Sequence, residues 1–422
     1  MWAVPIQHIM KDAFSGLIRL KSLVIVTQLS DNDHIDVKSG GLDGIQSLQT
    51  LYVDDHRLCC HFQNLDDCIT VEPQPPLFMC GSLMQNYILR VSMWVLGISA
   101  VVGNAYVVIW RFTEKTKSSN MAKQSFLIGN LAISDSLMGI YMLILACADL
   151  YYGDDYFVFS DQWRSGPICK LASFICLMSS EASVFLITLI SVDRFLCLVF
   201  PFSPLHLRLK STRIIVSILW VITLTISVIP TVLAGPNSDF YDLSDVCVGL
   251  PLITRPASFK IQTTDVDNPL SDRSFNLPVP EESKPAWYFS IALFLGVNLI
   301  CFAIILVCYI AIFINVQLAK KKASRTTAVD EDLKMALRMA AIVGTDFICW
   351  VPIIIMGILS QTGMVVIPLQ MYTWSVVFIL PVNSSINPYM YTVSYLISDF
   401  RSKKSAEGTV STGGATKSSI VS

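Results

Sequence analysis

Charge is scarce in this chain. Only 15% of its 422 residues are Asp, Glu, Lys or Arg, against about a quarter in soluble domains, and a formal net charge of -2 leaves no global footprint for nucleic acid. Histidine is also rare: there are five, all at or before His206, and no C-x2-C pair occurs anywhere. No metal-ligand or nucleophile motif lies in an apolar stretch, so an enzyme has no visible constellation. The opening MWAVPIQHIM has neither a basic n-region nor a small-residue cleavage site, so no signal peptide is read there. Glycosylation sequons are missing outside Asn383-Ser384-Ser385, and no cysteine follows Cys349, which excludes a palmitoyl anchor in the tail.

Long apolar runs are what the chain has instead. They recur at about Tyr87–Trp110, Phe126–Ala148, Leu171–Val199, Ile214–Ala234, Trp287–Ile314, Met339–Leu359 and Pro368–Leu396. Each approaches the roughly 20 residues that cross a hydrocarbon core as a helix, which predicts an all-α membrane protein with seven transmembrane helices. Basic residues alternate between the connecting segments. Eighteen of the 30 fall in the segments 111–123, 194–213 and 316–338 and after Asp399, and only two in 149–170 and 360–367. The positive-inside rule then puts the C-terminus in the cytoplasm and the N-terminus outside.

Residues 1–58 show a spacing of their own. Phe14, Leu17, Leu20, Leu23 and Ile25 return 28 residues later as Leu42, Ile45, Leu48, Leu51 and Val53. The stretch Ile45 to Leu58 resembles a leucine-rich repeat, with His56 where asparagine is usual; chance spacing of leucines is the alternative. Two units fall short of the three or so a solenoid needs, so the chain is expected to begin inside a longer ectodomain. Residues 59–86 follow as a hinge holding Cys59, Cys60, Cys68 and Cys80. In an oxidising space clustered cysteines pair as disulfides. Four allow three connectivities, and zinc with His56 and His61 is the rival.

Asp135 lies some three turns inside the second run, where an ionisable group is costly and functional by default. A structural acid satisfied by Asn and Ser neighbours is the alternative. Asn104, Ser183, Asn383, Ser384 and Asn387 are candidate partners from other runs, and with Asp135 they suit a hard cation such as sodium.

Several motifs then occur in order: Gly103-Asn104, Asn130-Leu131-Ala132 with Asp135, Cys169, Asp193-Arg194-Phe195, Trp220, Cys349-Trp350-Val351-Pro352 and Asn387-Pro388-Tyr389-Met390-Tyr391. Together they resemble the rhodopsin-like G-protein-coupled receptors. Glu181 in SSEASVF, Asn298 followed by Cys301, Asp346 in TDFICW and the stretch 378–384 are similar to the leucine-rich-repeat-containing receptors, nearest in pattern to relaxin receptors. The opsins are excluded because no lysine occurs from Pro368 to Leu396, and Cys176 stands where an amine receptor would carry aspartate.

The resemblance implies a short leucine-rich-repeat remnant (1–58), the cysteine hinge (59–86), a receptor domain (87–397) and a cytoplasmic tail (398–422). It implies a Cys169–Cys247 disulfide and a cytoplasmic switch built from Asp193, Arg194, Asp332, Asn387, Pro388 and Tyr391. Arg194 would be held by Asp193 and by Asp332, unless Asp332 is merely a solvated charge. Glu181, Asp346, Trp350, Pro352 and Asn383 would form an activation network in which Asp346 bonds Asn383 and Asn387. Opening the switch would admit a heterotrimeric G protein, and the Ser/Thr-rich tail would recruit arrestin or serve as a plain linker. Residues 394–404 read as an amphipathic helix on membrane lipid. The expected ligand is an extracellular peptide or protein hormone of the relaxin or insulin-like class, and the expected location is the plasma membrane. A shortened chain that signals little and acts as a dimer partner or decoy is the competing reading. The loop 236–285, long and Pro-punctuated, is expected to be irregular.

Overall fold

The computed structural model describes residues 80–113, 119–204, 206–233, 292–322, 343–356 and 374–390. It adds short pieces of the N-terminal segment (8–10, 14, 17, 19–25, 36–37, 47–53, 56–61, 67–70), of the loop before the fifth span (245–248, 254–256, 259–265, 274–280, 283–285), and residues 340 and 358–359. The predicted amphipathic segment 394–404 and the tail lie outside the described residues, as do Asp332 and Tyr391.

Five described helices are long and apolar enough to cross a membrane. Hydrocarbon supplies no partners for backbone N–H and C=O groups, so each apolar run closes its hydrogen bonds within itself as a helix. The first span is Tyr87–Thr113, the second Ser119–Tyr152, the third Pro167–Val199 and the fourth Leu209–Leu233. A fifth opens as a π-helical stretch, Ala292–Asn298, and continues as Leu299–Lys322. The sixth is represented by the apolar helix Val343–Met356 and the seventh by helical residues 374–390, which include a second π stretch, Ser375–Ile379. Pro167 starts the third span, where its missing N–H has no helical partner to lose.

Helical periodicity decides what faces out. Val91, Val95, Ile98, Val102, Tyr106 and Ile109 recur every three or four residues along the first span and are exposed, as are Ile214, Ile218 and Val221 on the fourth and Ile300, Ile304, Val307 and Ile310 on the fifth. An apolar stripe that no protein covers is the surface presented to lipid. Inward faces carry small or polar residues that let helices approach. At Gly139 an added Cβ would lie 2.8 Å from Val101 and 2.9 Å from the Gly97 carbonyl oxygen, and at Gly103 it would lie 2.9 Å from Pro388. Those glycines set how closely the first span sits against the second and seventh.

Spans run past the apolar runs that announce them. The second span begins seven residues before Phe126 and ends at Tyr152, after which the connecting segment 149–170 holds a further helix, Tyr156–Ser165. The loop ahead of the fifth span, expected to be irregular, contains an antiparallel ladder, Phe259–Asp265 against Ser274–Pro280. Its Phe259-Lys260-Ile261-Gln262-Thr263 alternation has a strand's period of two.

In the N-terminal segment three short strands pair in parallel: Ser22–Ile25 with Thr50–Val53, and Thr50–Val53 with Asp67–Thr70. The first pairing sets Leu23 beside Leu51 and Ile25 beside Val53, the 28-residue spacing seen in the sequence. Ile25, Leu48, Leu51, Val53 and Leu58 are buried together in a small core. The hinge cysteines pair Cys59–Cys68 and Cys60–Cys80, one of the three connectivities.

Candidate functional site

Three polar clusters lie along the bundle, one at each end and one in the middle. At the end of the third span Asp193 is buried, and Arg194 Nη2 donates to its Oδ2 at 2.6 Å. This is the adjacent pair the resemblance implied. Asp193 has another partner: Lys123 Nζ lies 2.6 Å from Oδ1 and 3.2 Å from the Leu207 carbonyl oxygen. Lys123 is 2% exposed, although the sequence counts it among loop basics. Its register carries the signal that was missed, since Lys123, Leu127, Leu131 and Ser134 follow one another at helical spacing on the buried face of the second span. Nearby, Asn315 Nδ2 donates to the Leu198 carbonyl oxygen at 2.8 Å, tying the fifth span to the foot of the third.

Mid-bundle, three acids from different spans are fully buried, Asp135, Glu181 and Asp346. Ser384 Oγ donates to Asp135 Oδ1 at 3.0 Å, Asn387 Nδ2 donates to Asp135 Oδ2 at 2.8 Å, and the Ser183 hydroxyl also contacts this carboxyl. Asn104 Nδ2 donates to the Ser384 carbonyl oxygen at 2.9 Å, joining the first span to the group. Asp346, from the sixth span, receives a hydrogen bond from Asn383 Nδ2, and Thr345 Oγ1 donates to Asn383 Oδ1. The expectation that Asp346 bonds both Asn383 and Asn387 is corrected here, because Asn387 serves Asp135 instead. At 100° per residue Asn387 lies between Asn383 and Ser384 in rotation and joins Ser384 toward the second span. Two acids are thus satisfied by separate donors on one turn of the seventh span.

Glu181 accepts from Asn298 Nδ2 at 3.1 Å, so the π stretch of the fifth span ends on the third. Trp350 is buried beside Phe302, whose ring centroid lies 6.0 Å away, and Phe347 stacks edge-on to Phe302 at 5.2 Å. Pro352 sits inside the helix Val343–Met356, where it supplies no N–H. Pro388 lies against Gly103. Trp220 Nε1 donates to Asn130 Oδ1 at 3.0 Å, joining two motif residues across spans.

At the other end Cys169 and Cys247 form the disulfide implied by the resemblance. A cluster that sequence reading missed surrounds it. Asp245 Oδ1 accepts from Tyr156 Oη at 2.9 Å and from Arg164 Nη1 at 2.9 Å, while Trp163 Nε1 donates to the Asp245 carbonyl oxygen at 2.9 Å and Tyr141 Oη to that of Val246 at 2.7 Å. Arg164 and Asp245 are nearly inaccessible, at 2% and 6% side-chain exposure. The hinge joins this end: Asp149 accepts from the Met84 backbone N–H at 2.9 Å and pairs with Arg90 at 2.8 Å, and Leu83 and Met84 are buried in the bundle's core.

Hard oxygen donors converge on Asp135, and Asn104 Oδ1 and Asn387 Oδ1 are buried without a hydrogen-bond donor among the described residues. A carboxylate, hydroxyls and orphaned amide oxygens fit a small hard cation.

Comparison with known proteins adds an independent line. Residues 103–391 match the 7 transmembrane receptor (rhodopsin family). The chain is 36% identical over 351 residues to the G-protein coupled receptor GRL101 of Lymnaea stagnalis, covering 83% of this chain and 28% of that protein. It is 31% identical over 351 residues to human Relaxin receptor 2, covering 82% and 42%, and 26% identical over 359 residues to the Thyrotropin receptor of Sus scrofa, covering 85% and 41%. The chain therefore spans less than half the length of these curated relatives.

Proposed function

Because this chain belongs to the rhodopsin family of seven-transmembrane receptors, multi-pass membrane proteins that are not enzymes, we propose that it relays an extracellular peptide or protein hormone signal to heterotrimeric G proteins at the plasma membrane, with its N-terminus outside. The observation that carries this reading is the series of buried polar pairs spaced along the bundle: Arg164–Asp245 at one end, Glu181–Asn298, Asp346–Asn383 and Asp135–Asn387 in the middle, and Lys123–Asp193–Arg194 at the other. Buried charged and amide groups that exchange partners give a bundle two discrete arrangements rather than a continuum. A ligand that prefers one of them shifts the population. In the silent arrangement Arg194 is held by Asp193. In the signalling arrangement it is released, and Asn387, Pro388 and Tyr391 on the seventh span move with it to admit a G-protein helix.

Two of the relatives are named as relaxin and thyrotropin receptors, which supports a peptide or protein hormone as ligand and favours the relaxin or insulin-like class by sequence pattern. Arrestin binding to the tail and lipid contact by residues 394–404 belong to the same reading. The test pairs topology with output. Tags at both termini are read on intact cells, and ligand-free activation is scored across a panel of Gα subunits. The expected result is an N-terminal tag accessible from outside, a C-terminal tag that is not, and activation of at least one Gα. Two tags in one compartment, or silence on every Gα by both the parent and Asp346→Asn, sinks the reading; silence with normal surface delivery would favour a decoy.

The Asp135 cluster is assigned to an inhibitory sodium ion held by Asp135, Ser183, Ser384 and Asn387, with Asn383 one turn away. A cation there stabilises the arrangement in which these side chains converge. Replacing sodium with a large organic cation is expected to raise ligand-free output severalfold in the parent and to leave Asp135→Asn insensitive to the exchange. Equal sodium sensitivity of the two would remove the ion from the account.

A further inference from the structure

Arg194 cannot turn away from Asp193 without leaving behind a carboxylate that is 1% exposed. An unpaired buried charge is costly enough to oppose such a movement. In this chain a second cation is already in place. Lys123 Nζ stands 2.6 Å from Oδ1, the oxygen that Arg194 Nη2 does not use, and its own position is fixed by the Leu207 carbonyl oxygen at 3.2 Å. Lys123 comes from the second span and Leu207 from the segment between the third and fourth, so the ammonium is anchored on elements other than the one that carries Arg194. One carboxylate is thus shared between two cations, and each repels the other across it.

We propose that Lys123 is a positioning residue of the cytoplasmic switch: a standing counter-ion that keeps Asp193 paired when Arg194 leaves, and so favours the released arrangement relative to the held one. This rests on the reading of Arg194 as a switch. With Lys123 neutral, Asp193 would have Arg194 as its counter-ion and would bind it more tightly, and release would strand the buried acid. A lysine that only stapled the second span to the Leu207 segment would behave differently, because its effect would not depend on whether residue 193 is charged.

The experiment measures ligand-free Gα activation at matched surface density in the parent and in the Asp346→Asn background. Lys123→Met is expected to lower output roughly three- to tenfold, while Lys123→Arg keeps the parental level. In an Asp193→Asn background, Lys123→Met is expected not to lower output, since no buried carboxylate remains to be stranded when Arg194 leaves. Lys123→Gln, which keeps a donor for Leu207, is expected to follow Met. Output of Lys123→Met at or above the parent's, or an undiminished Lys123→Met effect on Asp193→Asn, overturns the proposal while leaving the receptor reading standing. Should Lys123→Met and Lys123→Gln fail to reach the surface with and without Asp193→Asn, Lys123 is a folding staple and the proposal is wrong. An entirely silent parent and a silent Asp346→Asn remove both readings together.

Discussion

Replacing Asp346 with asparagine is expected to raise ligand-free signalling about tenfold at equal surface density. Asp346 is 1% exposed and receives Asn383 Nδ2 across the interface between the sixth and seventh spans. A hydrogen bond to a carboxylate contributes about 1.5–3 kcal/mol and one between neutral groups about 0.5–1.5 kcal/mol. The difference between the middles of these ranges, about 1.3 kcal/mol, is close to a factor of ten in the ratio of two arrangements. Its sign follows from where the bond is made: it ties the sixth span to the seventh in the arrangement that also holds Arg194 on Asp193, so weakening it favours release. The side-chain volume barely changes, and packing of Phe347 and Trp350 against Phe302 is preserved. Basal output at or below the parent's, with normal delivery to the surface, would show that Asp346 restrains nothing.

The second large effect belongs to the opposite end. Asp245→Ala is expected to destabilise the protein by about 3–5 kcal/mol, the usual cost of removing one partner from a buried ion pair. Arg164 would lose its carboxylate while remaining 2% exposed, and Tyr156 Oη would lose the same acceptor. The Cys169–Cys247 disulfide would remain, but the backbone just ahead of it would lose a side chain that anchors it to the Tyr156–Ser165 helix. Thermal unfolding of purified protein and the fraction reaching the cell surface are the measurements, and both should fall sharply. Arg164→Met combined with Asp245→Leu should recover most of the loss, because an apolar pair of similar size leaves no buried charge unpaired. A double variant no better than Asp245→Ala would mean that the geometry of the ion pair itself is required.

What could be read from the sequence follows from what the solvent enforces. A helix in hydrocarbon must be about twenty apolar residues long whatever it packs against, so the spans are visible without any knowledge of neighbours. The residues of the polar clusters that fall inside those spans, Asp135, Glu181 and Asp346, are visible for the same reason: a charge there contradicts its surroundings. Lys123, Arg164 and Asp245 lie beyond the runs, in segments where charge is ordinary, and only the tertiary structure shows them to be buried. Lys123 is inside because its helix starts earlier than its apolar run does, and Arg164 because a ten-residue helix folds over the end of the second span. The partner choice of Asn387 was equally hidden. Asn383 and Asn387 share a face, and which acid each meets depends on how far the sixth and second spans stand from that turn.

The π stretch at the head of the fifth span has a consequence for how this receptor tolerates change in chain length. Such a turn holds one residue more than ordinary winding would, so the stretch Ala292–Asn298 stores slack at the head of the helix Leu299–Lys322. Losing a single residue between 292 and 297 would close that turn to normal pitch, and since the surplus residue is the one given up, Asn298 and all that follows would go on facing Glu181. A one-codon deletion at this point is therefore absorbed by the winding itself rather than passed on to the portion that grips the third span.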